Sequence, residues 1–354
     1  MLAPFFQSST SAQQQPMATN EDWLNLVQEP VLAPDLPIID PHHHFWINRT
    51  QHTVEPHYLI DELAADTGSG HNIVATVFIE CGAVFNADAS PDFAVVGETE
   101  FANGQAALSA SGAYGALRAA AGIVGTAYLT AGASVGAVLD AQIAAGNGRF
   151  RGIRQAASHD PHPDVGNHRT NPQFDMYADA TFRQGFAELA PRNLTFEAWC
   201  YHPQIPLLTD LARAFPDTTI ILDHFGGPIG IGPYRGRGDE VFEQWRKDVT
   251  ALAACPNVRA KLGGLAMEVN GFDWHKQPQP PGSQAFIDAQ RRYFETTLEL
   301  FGVERCMFES NFPVDKLSVS YHVLWNAFKR LTADYSADER TRLFHDTAKE
   351  TYRL

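Results

Sequence analysis

Three consecutive histidines, His42, His43 and His44, follow a short apolar run and an Asp-Pro pair near the start of the chain. Proline favours an extended conformation in the residue before it, so these histidines should lie where a strand ends. Side chains two residues apart in an extended segment point the same way, so His42 and His44 converge while His43 faces elsewhere. Two converging imidazoles can bind a metal, or grip a carbonyl group or an anionic substrate. We therefore interpret His42 and His44 as part of a chemical site.

Other side chains that bind ligands or move protons recur near the ends of apolar runs of strand length. They are Glu80, Arg151, Arg154, Tyr201, His202, His224, Lys261, Glu309, Asn311 and Asp315. Active sites of closed parallel barrels lie at the C-terminal ends of the strands. In such a barrel these side chains would face one cavity.

Short apolar runs alternate with segments of helical length along most of the chain, and this alternation predicts a parallel sheet. About eight strand-and-helix units predict an α/β fold of the (β/α)8 TIM-barrel type. The predicted strands are Ile38–Ile39, Ile73–Ile79, Gly122–Leu129, Phe150–Ile153, Leu194–Cys200, Thr219–Leu222, Val258–Leu262 and Cys306–Phe308. We expect one domain over residues 23–354, preceded by a mobile, disordered tail over residues 1–22.

The composition limits the partners. The chain has 354 residues and a formal net charge of −15, which disfavours nucleic acid and anionic membranes as partners. The Ala/Gly-rich stretch from 104 to 148 is too weakly apolar to span a bilayer and predicts two helices flanking a strand. None of the four cysteines has Cys-x-x-Cys spacing, which favours a reducing, cytoplasmic location. We expect a small-molecule substrate, and the sequence leaves a homo-oligomer open.

Several ordered motifs resemble the amidohydrolase superfamily, and within it the lactonases for sugar lactones and for pyrone dicarboxylate. The motifs are Asp40-Pro-His-His-His44-Phe-Trp, Phe150-Arg-Gly-Ile-Arg154, Tyr201-His202-Pro-Gln-Ile-Pro, Leu222-Asp-His224-Phe-Gly-Gly-Pro, Lys261-Leu-Gly-Gly-Leu265 and Met307-Phe-Glu-Ser-Asn311-Phe-Pro-Val-Asp315. The resemblance implies a TIM barrel with His42, His44, His202 and His224 around the substrate or a metal. It also implies that Arg151 or Arg154 holds a substrate carboxylate, for which a planar guanidinium is suited.

One position departs from that family. The family usually has an aspartate as general base directly after the serine of the last strand, and here the residue is Asn311. An amide cannot take a proton from water. We expect another carboxylate to replace it, with Asp315 ranked first, Glu309 second, and Glu80 as a third choice.

The metal content is left open by the sequence. Family members with two metals carry a carbamylated lysine on strand four, and the stretch from Arg151 to Gln155 has no lysine. One divalent metal, most simply zinc, held by His42, His44 and His202 would match the catalytic zinc pattern of three protein ligands and a water. A site that works without metal is an equal alternative.

The leading prediction is an enzyme that hydrolyses a small lactone or cyclic ester bearing an acidic group. His42, His44 and His202 would polarise the carbonyl, His224 would assist, and a carboxylate near strand eight would activate water. Lys261, interpreted either as a substrate contact or as a barrel-interior ion pair, joins Tyr201 and Trp274 among the candidate substrate contacts. Trp274 lies in a long loop, residues 266–283, which we expect to act as a lid. The alternatives are a metal-dependent decarboxylase of an aromatic or unsaturated acid and a non-catalytic small-molecule binder.

Overall fold

Eight parallel strands form the centre of the molecule. The structure, a computed structural model, describes residues 20–50 and 55–354. Each strand pairs in parallel with the next one along the chain. The strands are β1 (Pro37–His43), β2 (Asn72–Ile79), β3 (Arg118–Gly125), β4 (Phe150–Arg154), β5 (Thr195–Ala198), β6 (Ile220–Leu222), β7 (Val258–Leu262) and β8 (Cys306–Phe308). The predicted TIM barrel is confirmed.

The barrel closes where the chain beyond β8 meets the end of β1. The amide of Asn311 donates to the carbonyl of His42 at 2.9 Å, and the amide of His44 donates to the carbonyl of Phe312 at 2.8 Å. His43 and Phe312 also form an isolated parallel bridge. These bonds hold the triple-histidine segment against the last strand's Ser-Asn-Phe motif, although the two are far apart in the sequence.

Helices cover the outside of the barrel. They are α1 (Glu21–Leu24), α2 (Ile60–Thr67), α3 (Val96–Leu108), α4 (Val135–Ala145), α5 (Ala180–Phe186), α6 (Ile205–Ala214), α7 (Gly238–Ala253), α8 (Ser283–Phe301), α9 (Tyr321–Leu331), α10 (Ala337–Thr341) and α11 (Thr347–Tyr352). The stretch 104–148 holds the end of α3, then β3, then α4, as the prediction of two helices around a strand requires. No helix in the described part of the chain is long and apolar enough to cross a membrane.

The C-terminal helix covers the end of the barrel at which the strands begin. Ala348 and Tyr352 join an apolar cluster with inward residues of five strands, among them Ile39 and Met307. Arg259, near the start of β7, donates to Thr351 at 2.7 Å. This packing covers the end at which the strands begin and leaves the opposite end, where the strands finish, for a ligand.

The predicted N-terminal tail lies mostly outside the described residues. Its last three residues, 20–22, are described and contact the barrel. The side-chain amide of Asn20 donates to the carbonyl of Lys316 at 2.7 Å, and the carboxylate of Glu21 pairs with the Lys316 ammonium at 3.0 Å. The packed part of the chain therefore includes residue 20, earlier than the predicted boundary at 23.

Candidate active site

The end of β1 turns two of the three histidines to one side. His42 is buried with its imidazole 5.0 Å from that of His44 and 4.5 Å from that of His224, measured between ring centroids. His43 instead contacts the Thr76 hydroxyl at 2.8 Å and packs against Phe45. The predicted alternation is therefore observed, and it follows from the two-residue period of a strand.

A tight turn after β6 brings His224 to the same place. His224 and Phe225 both have left-handed backbone conformations, with φ of 51° and 59°. Gly264, in the Gly-Gly pair after β7, lies so close that an added Cβ would be 2.1 Å from His224 Nδ1. Because Gly264 also has a φ of +76°, only glycine fits there without displacing the imidazole.

Glu309 joins the two imidazoles. Its carboxylate lies 2.7 Å from His42 Nδ1 through one oxygen and 2.7 Å from His224 Nδ1 through the other. A carboxylate can only accept hydrogen bonds, so His224 Nδ1 carries the proton and its Nε2 presents a lone pair. The Glu309 oxygen that faces His42 forms no hydrogen bond with any described residue. His44 follows the same pattern as His224, because its Nδ1 lies 2.8 Å from the carbonyl oxygen of Ile79.

Arg154, at the end of β4, sits beside His42 and is held on several sides. Its Nε donates to Glu80 at 2.8 Å and its Nη2 donates to the Glu80 carbonyl. Its Nη1 lies 3.4 Å from both Asp223 and His42 Nε2. Burial would raise the pKa of Glu80, but Arg169 and Arg154 outweigh it and lower that pKa. Glu80 is therefore an anionic anchor for arginines, which removes it as a candidate base.

Lys261 lies inside the barrel, below the histidines. Its ammonium is 2.8 Å from Glu197, 3.4 Å from Asp223 and 3.2 Å from His42 Nδ1. Burial, followed by the positive charge of Lys261, lowers the pKa of His42 well below its usual range and keeps the imidazole neutral. Lys261 is fully buried and forms the barrel-interior ion pair, rather than the substrate contact that we also considered.

A cavity of about 1010 Å³ opens above these residues. Aromatic side chains and loop residues form its walls, and cationic side chains are prominent among them. Its lining includes His44, Trp46, Arg49, Arg154, Asp164, Val165, His168, Arg169, Trp199, Tyr201, His224, Arg235, Met267, Glu268, Asp273, Lys276 and Asn311. His44, Arg154, Tyr201, His224 and Asn311 were all predicted site residues, and the structure brings them to this one cavity.

Three predicted site residues lie elsewhere. His202 Nδ1 accepts from the amide of Ile229 at 3.3 Å, and its ring packs against Tyr234. Trp274 stacks on Phe272 and contacts Phe286, although its neighbours in the loop 266–283 do line the cavity. The predictions that these two residues contact substrate or metal are therefore not supported by their positions.

Arg151 is the third predicted site residue that lies away from the cavity. It donates to the carbonyls of Gly148 and Phe150 near the start of β4, which is the covered end of the barrel. Of the two arginines proposed to hold a substrate carboxylate, only Arg154 reaches the cavity, because the two lie three residues apart along a strand that runs between opposite ends of the barrel.

The residue ranked first as a replacement base does not face the cavity. The Asp315 carboxylate accepts from the side-chain amide of Asn311 at 2.8 Å and from the amide of Ala266 at 3.3 Å. Burial raises the pKa of Asp315 to about 7, opposed mainly by the neighbouring His224. Asp315 therefore acts on Asn311 and the loop after β7, and Glu309 is the carboxylate that contacts the histidines.

Two residues of the site were not predicted. Asp223 lies 3.4 Å from both Arg154 and Lys261, and it directly precedes His224 in the motif that pointed to this strand end. Arg169 contacts Glu80 from a long loop, and no local pattern in the sequence marks it.

The donor types fit a divalent metal, with a different set of residues from the one predicted. In the described ranges, one group places three ligand atoms within 4.8 Å of one another, and it consists of His42, His224 and Glu309. Imidazole nitrogen and carboxylate oxygen are donors that zinc uses. The predicted set of His42, His44 and His202 does not form such a group, because His202 belongs to the outer loop contacts described above.

The family model described as amidohydrolase matches residues 39–354, so the chain belongs to the amidohydrolase family. It is 35% identical over 337 residues to the uncharacterized protein y4mH of Sinorhizobium fredii, covering 90% of this chain and 99% of that protein. It is 28% identical to an L-fucono-1,5-lactonase of Burkholderia multivorans over 53% of this chain and 62% of the lactonase. The resemblance inferred from the motifs is confirmed.

Solved structures agree with this assignment. A crystal structure of an amidohydrolase from Burkholderia multivorans with bound zinc matches with a TM-score of 0.68 at 25% identity. The match covers 90% of this chain and 99% of that one. A putative 2-pyrone-4,6-dicarboxylic acid hydrolase from Pseudomonas putida matches with a TM-score of 0.58 at 19% identity and supports the fold alone.

Proposed function

We propose that the protein hydrolyses a small lactone or cyclic ester that bears an acidic group. The observation that carries the proposal is the His224–Glu309 pair at the floor of a cavity lined by several arginines. The similarity to an L-fucono-1,5-lactonase over about half of the chain supports the same reaction class.

His224 is the proposed proton acceptor. Its Nδ1–H is directed at the Glu309 carboxylate, which leaves the Nε2 lone pair for a water molecule. The water oxygen attacks the lactone carbonyl carbon while its proton passes to Nε2. The ring C–O bond then breaks, and the same proton passes to the departing alkoxide, so that the product is a hydroxy acid. Glu309 fixes the tautomer and stabilises the imidazolium formed in between, as the carboxylate of a catalytic triad does.

The polarisation of the carbonyl is assigned differently from the sequence-based hypothesis. A neutral imidazole whose Nδ1 carries the proton has a lone pair at Nε2, so it cannot donate a hydrogen bond to a carbonyl oxygen. His44 is of this kind, because its Nδ1 donates to the Ile79 carbonyl. Both ring nitrogens of His42 face cationic donors, Lys261 at Nδ1 and Arg154 at Nε2, and burial keeps the pKa of both histidines well below its usual range. Arg154 is the positively charged donor beside them that lines the cavity. We assign it the role of stabilising the developing oxyanion.

A metal would replace this proton relay, because a neutral His224 that binds zinc has no lone pair left to accept a proton. When bound, a zinc ion held by His42, His224 and Glu309 would supply Lewis-acid polarisation and a more acidic water. Arg154 already lies next to His42 and provides positive charge at the same place. The proposed reaction therefore does not depend on a metal.

Measuring acid release from a panel of carboxylated and neutral lactones tests the proposal. We expect the wild-type protein to turn over at least one carboxylated lactone, and His224→Asn to lower kcat/KM by about 10³-fold or more. His345→Asn, on the outer C-terminal segment, serves as the histidine control. Absence of turnover on every lactone by folded protein, or release of carbon dioxide instead, would remove the assignment.

A further inference from the structure

The segment between β4 and α5 is long for a βα connection and reaches over the cavity. It spans residues 155–179, whereas such connections usually have about two to six residues. The side-chain amide of Gln204 donates to the carbonyls of Ala157 and Phe174, which pins both arms of the loop. Residues 164–169 then line the cavity. A loop fixed at its base can hold a side chain at its tip in a defined place.

Arg169 is the cation that this loop brings into the cavity. Its Nη2 pairs with the Glu80 carboxylate, and its Nη1 lies 2.7 Å from His168 Nε2. A guanidinium has five N–H donors, and the described residues supply acceptors for two of them. The Arg169 side chain is 35% exposed and lines the cavity, so it has N–H donors left for a ligand there.

Arg154, in contrast, has four of its five N–H groups engaged, which leaves one for a developing oxyanion but no two-donor fork for a substrate carboxylate. Its Nε and its two terminal nitrogens already contact the Glu80 carboxylate, the Glu80 carbonyl, Asp223 and His42. Its side chain is 6% exposed. Rebuilding that set of contacts around a substrate carboxylate would leave buried acids without partners, which is costly.

The other cations of the cavity lie in different settings. Arg235 and Lys276 share Asp273 at the outer rim and are more than half exposed. Arg49 lies over the Trp46 ring at 4.4 Å and donates to the Cys81 carbonyl. Arg169 combines an anchor on the buried Glu80 carboxylate with a partly exposed guanidinium at the cavity wall.

We propose that Arg169 determines substrate specificity by binding the substrate's carboxylate. Two of its N–H groups form the planar fork that matches a carboxylate, while its contact with Glu80 keeps the fork oriented. This inference rests on the proposed lactonase function. It assigns the acid-binding role to a loop residue instead of to the arginines of strand β4.

A matched pair of lactones tests the proposal by activity. One member carries a ring carboxylate and the other the corresponding carboxamide. We expect Arg169→Met to lower kcat/KM for the carboxylate at least 30-fold, mainly through KM, and to change the carboxamide less than threefold. Arg169→Lys should recover part of the loss, because it restores the charge without the fork. Arg192→Met removes an arginine from a surface ion pair with Asp140 and controls for the lost charge.

A binding measurement separates this proposal from the proposed reaction. Tetrahydropyran-2-carboxylate cannot be hydrolysed, and calorimetry compares its affinity with that of its carboxamide. We expect wild-type protein to prefer the carboxylate at least tenfold and Arg169→Met to lose that preference, even if no lactone is turned over. Equal binding of both probes by the wild type would overturn the proposal. An equal loss of kcat/KM for the carboxylate and carboxamide lactones in Arg169→Met would also overturn it, because it would indicate a purely structural role.

Discussion

The substitution Glu309→Gln is the sharpest perturbation of the proposed proton relay. Glu309 is fully buried; one of its carboxylate oxygens accepts from His224 Nδ1 at 2.7 Å, and the other lies 2.7 Å from His42 Nδ1 without a hydrogen bond to any described residue. A glutamine has one acceptor oxygen and one NH2 group in that place. In one orientation, the amide oxygen keeps the hydrogen bond from His224 Nδ1 but without the negative charge. In the other orientation, the NH2 group forces His224 to accept at Nδ1 and to carry its proton on Nε2, so the lone pair that receives the water proton is lost.

The magnitude follows from the His224 contact. It is a short hydrogen bond to a charged group, which contributes about 1.5–3 kcal/mol. Losing the charge there weakens the imidazolium-forming transition state by about the same amount, which corresponds to about 10–10²-fold in kcat/KM. The amide is nearly isosteric with the acid, so the cavity keeps its shape.

Initial rates on the best lactone substrate, with thermal unfolding recorded in parallel, provide the assay. Asp315→Asn is the matched control, because it makes the same chemical change on a buried acid six residues away whose carboxylate contacts Asn311 instead of a histidine. We expect Asp315→Asn to lower kcat/KM less than about tenfold, since it alters only the support of a cavity residue. Comparable activity of Glu309→Gln and wild type, or a larger loss in Asp315→Asn, would refute the reasoning and return the base to Asp315.

Three further predictions follow from other contacts. Gly264→Ala should lower kcat/KM about 100-fold by displacing His224, whereas Gly148→Ala, at a positive φ with open space around it, should not. Burial, reinforced by Lys329, lowers the pKa of His71 from 6.5 to about 4, so the unfolded state binds the extra proton first as the pH falls below 6.5. The wild type should thus lose about 2 kcal/mol of stability from this group between about pH 7 and pH 5, and urea titrations should show a shallower pH dependence for His71→Gln. Exhaustive chelation should reduce the activity less than tenfold, because Arg154 supplies positive charge beside His42; complete loss, restored by zinc, would contradict this.

The alternation of apolar strands and helices made the barrel predictable from the sequence. Its eight strands fall where the apolar runs lie. The observed strands differ from the predicted ones by a few residues at their ends where polar or small residues extend a strand, as at Arg118 in β3. Such residues carry no apolar signal, and the hydrogen bonds of neighbouring strands decide their conformation.

The site was predictable to the extent that position on a strand decides where a side chain points. His42, His44, Arg154 and His224 reach the predicted place because each lies at the end of a barrel strand. His202 and Trp274 do not, because each belongs to a loop whose path depends on packing against Tyr234 or Phe286. Arg169 is the converse case, since a loop of no distinctive sequence carries it into the cavity.

Isotope labelling of the product tests the central proposition most directly. The protein is incubated in water enriched in oxygen-18 with the carboxylated lactone that it turns over fastest. The mass of the product is then measured by mass spectrometry. The account predicts a hydroxy acid that has gained one labelled water, with the label in the new carboxylate, and about 10³-fold slower formation of it with His224→Asn. A product that has lost carbon dioxide, or an unchanged lactone after prolonged incubation with folded protein, would contradict it.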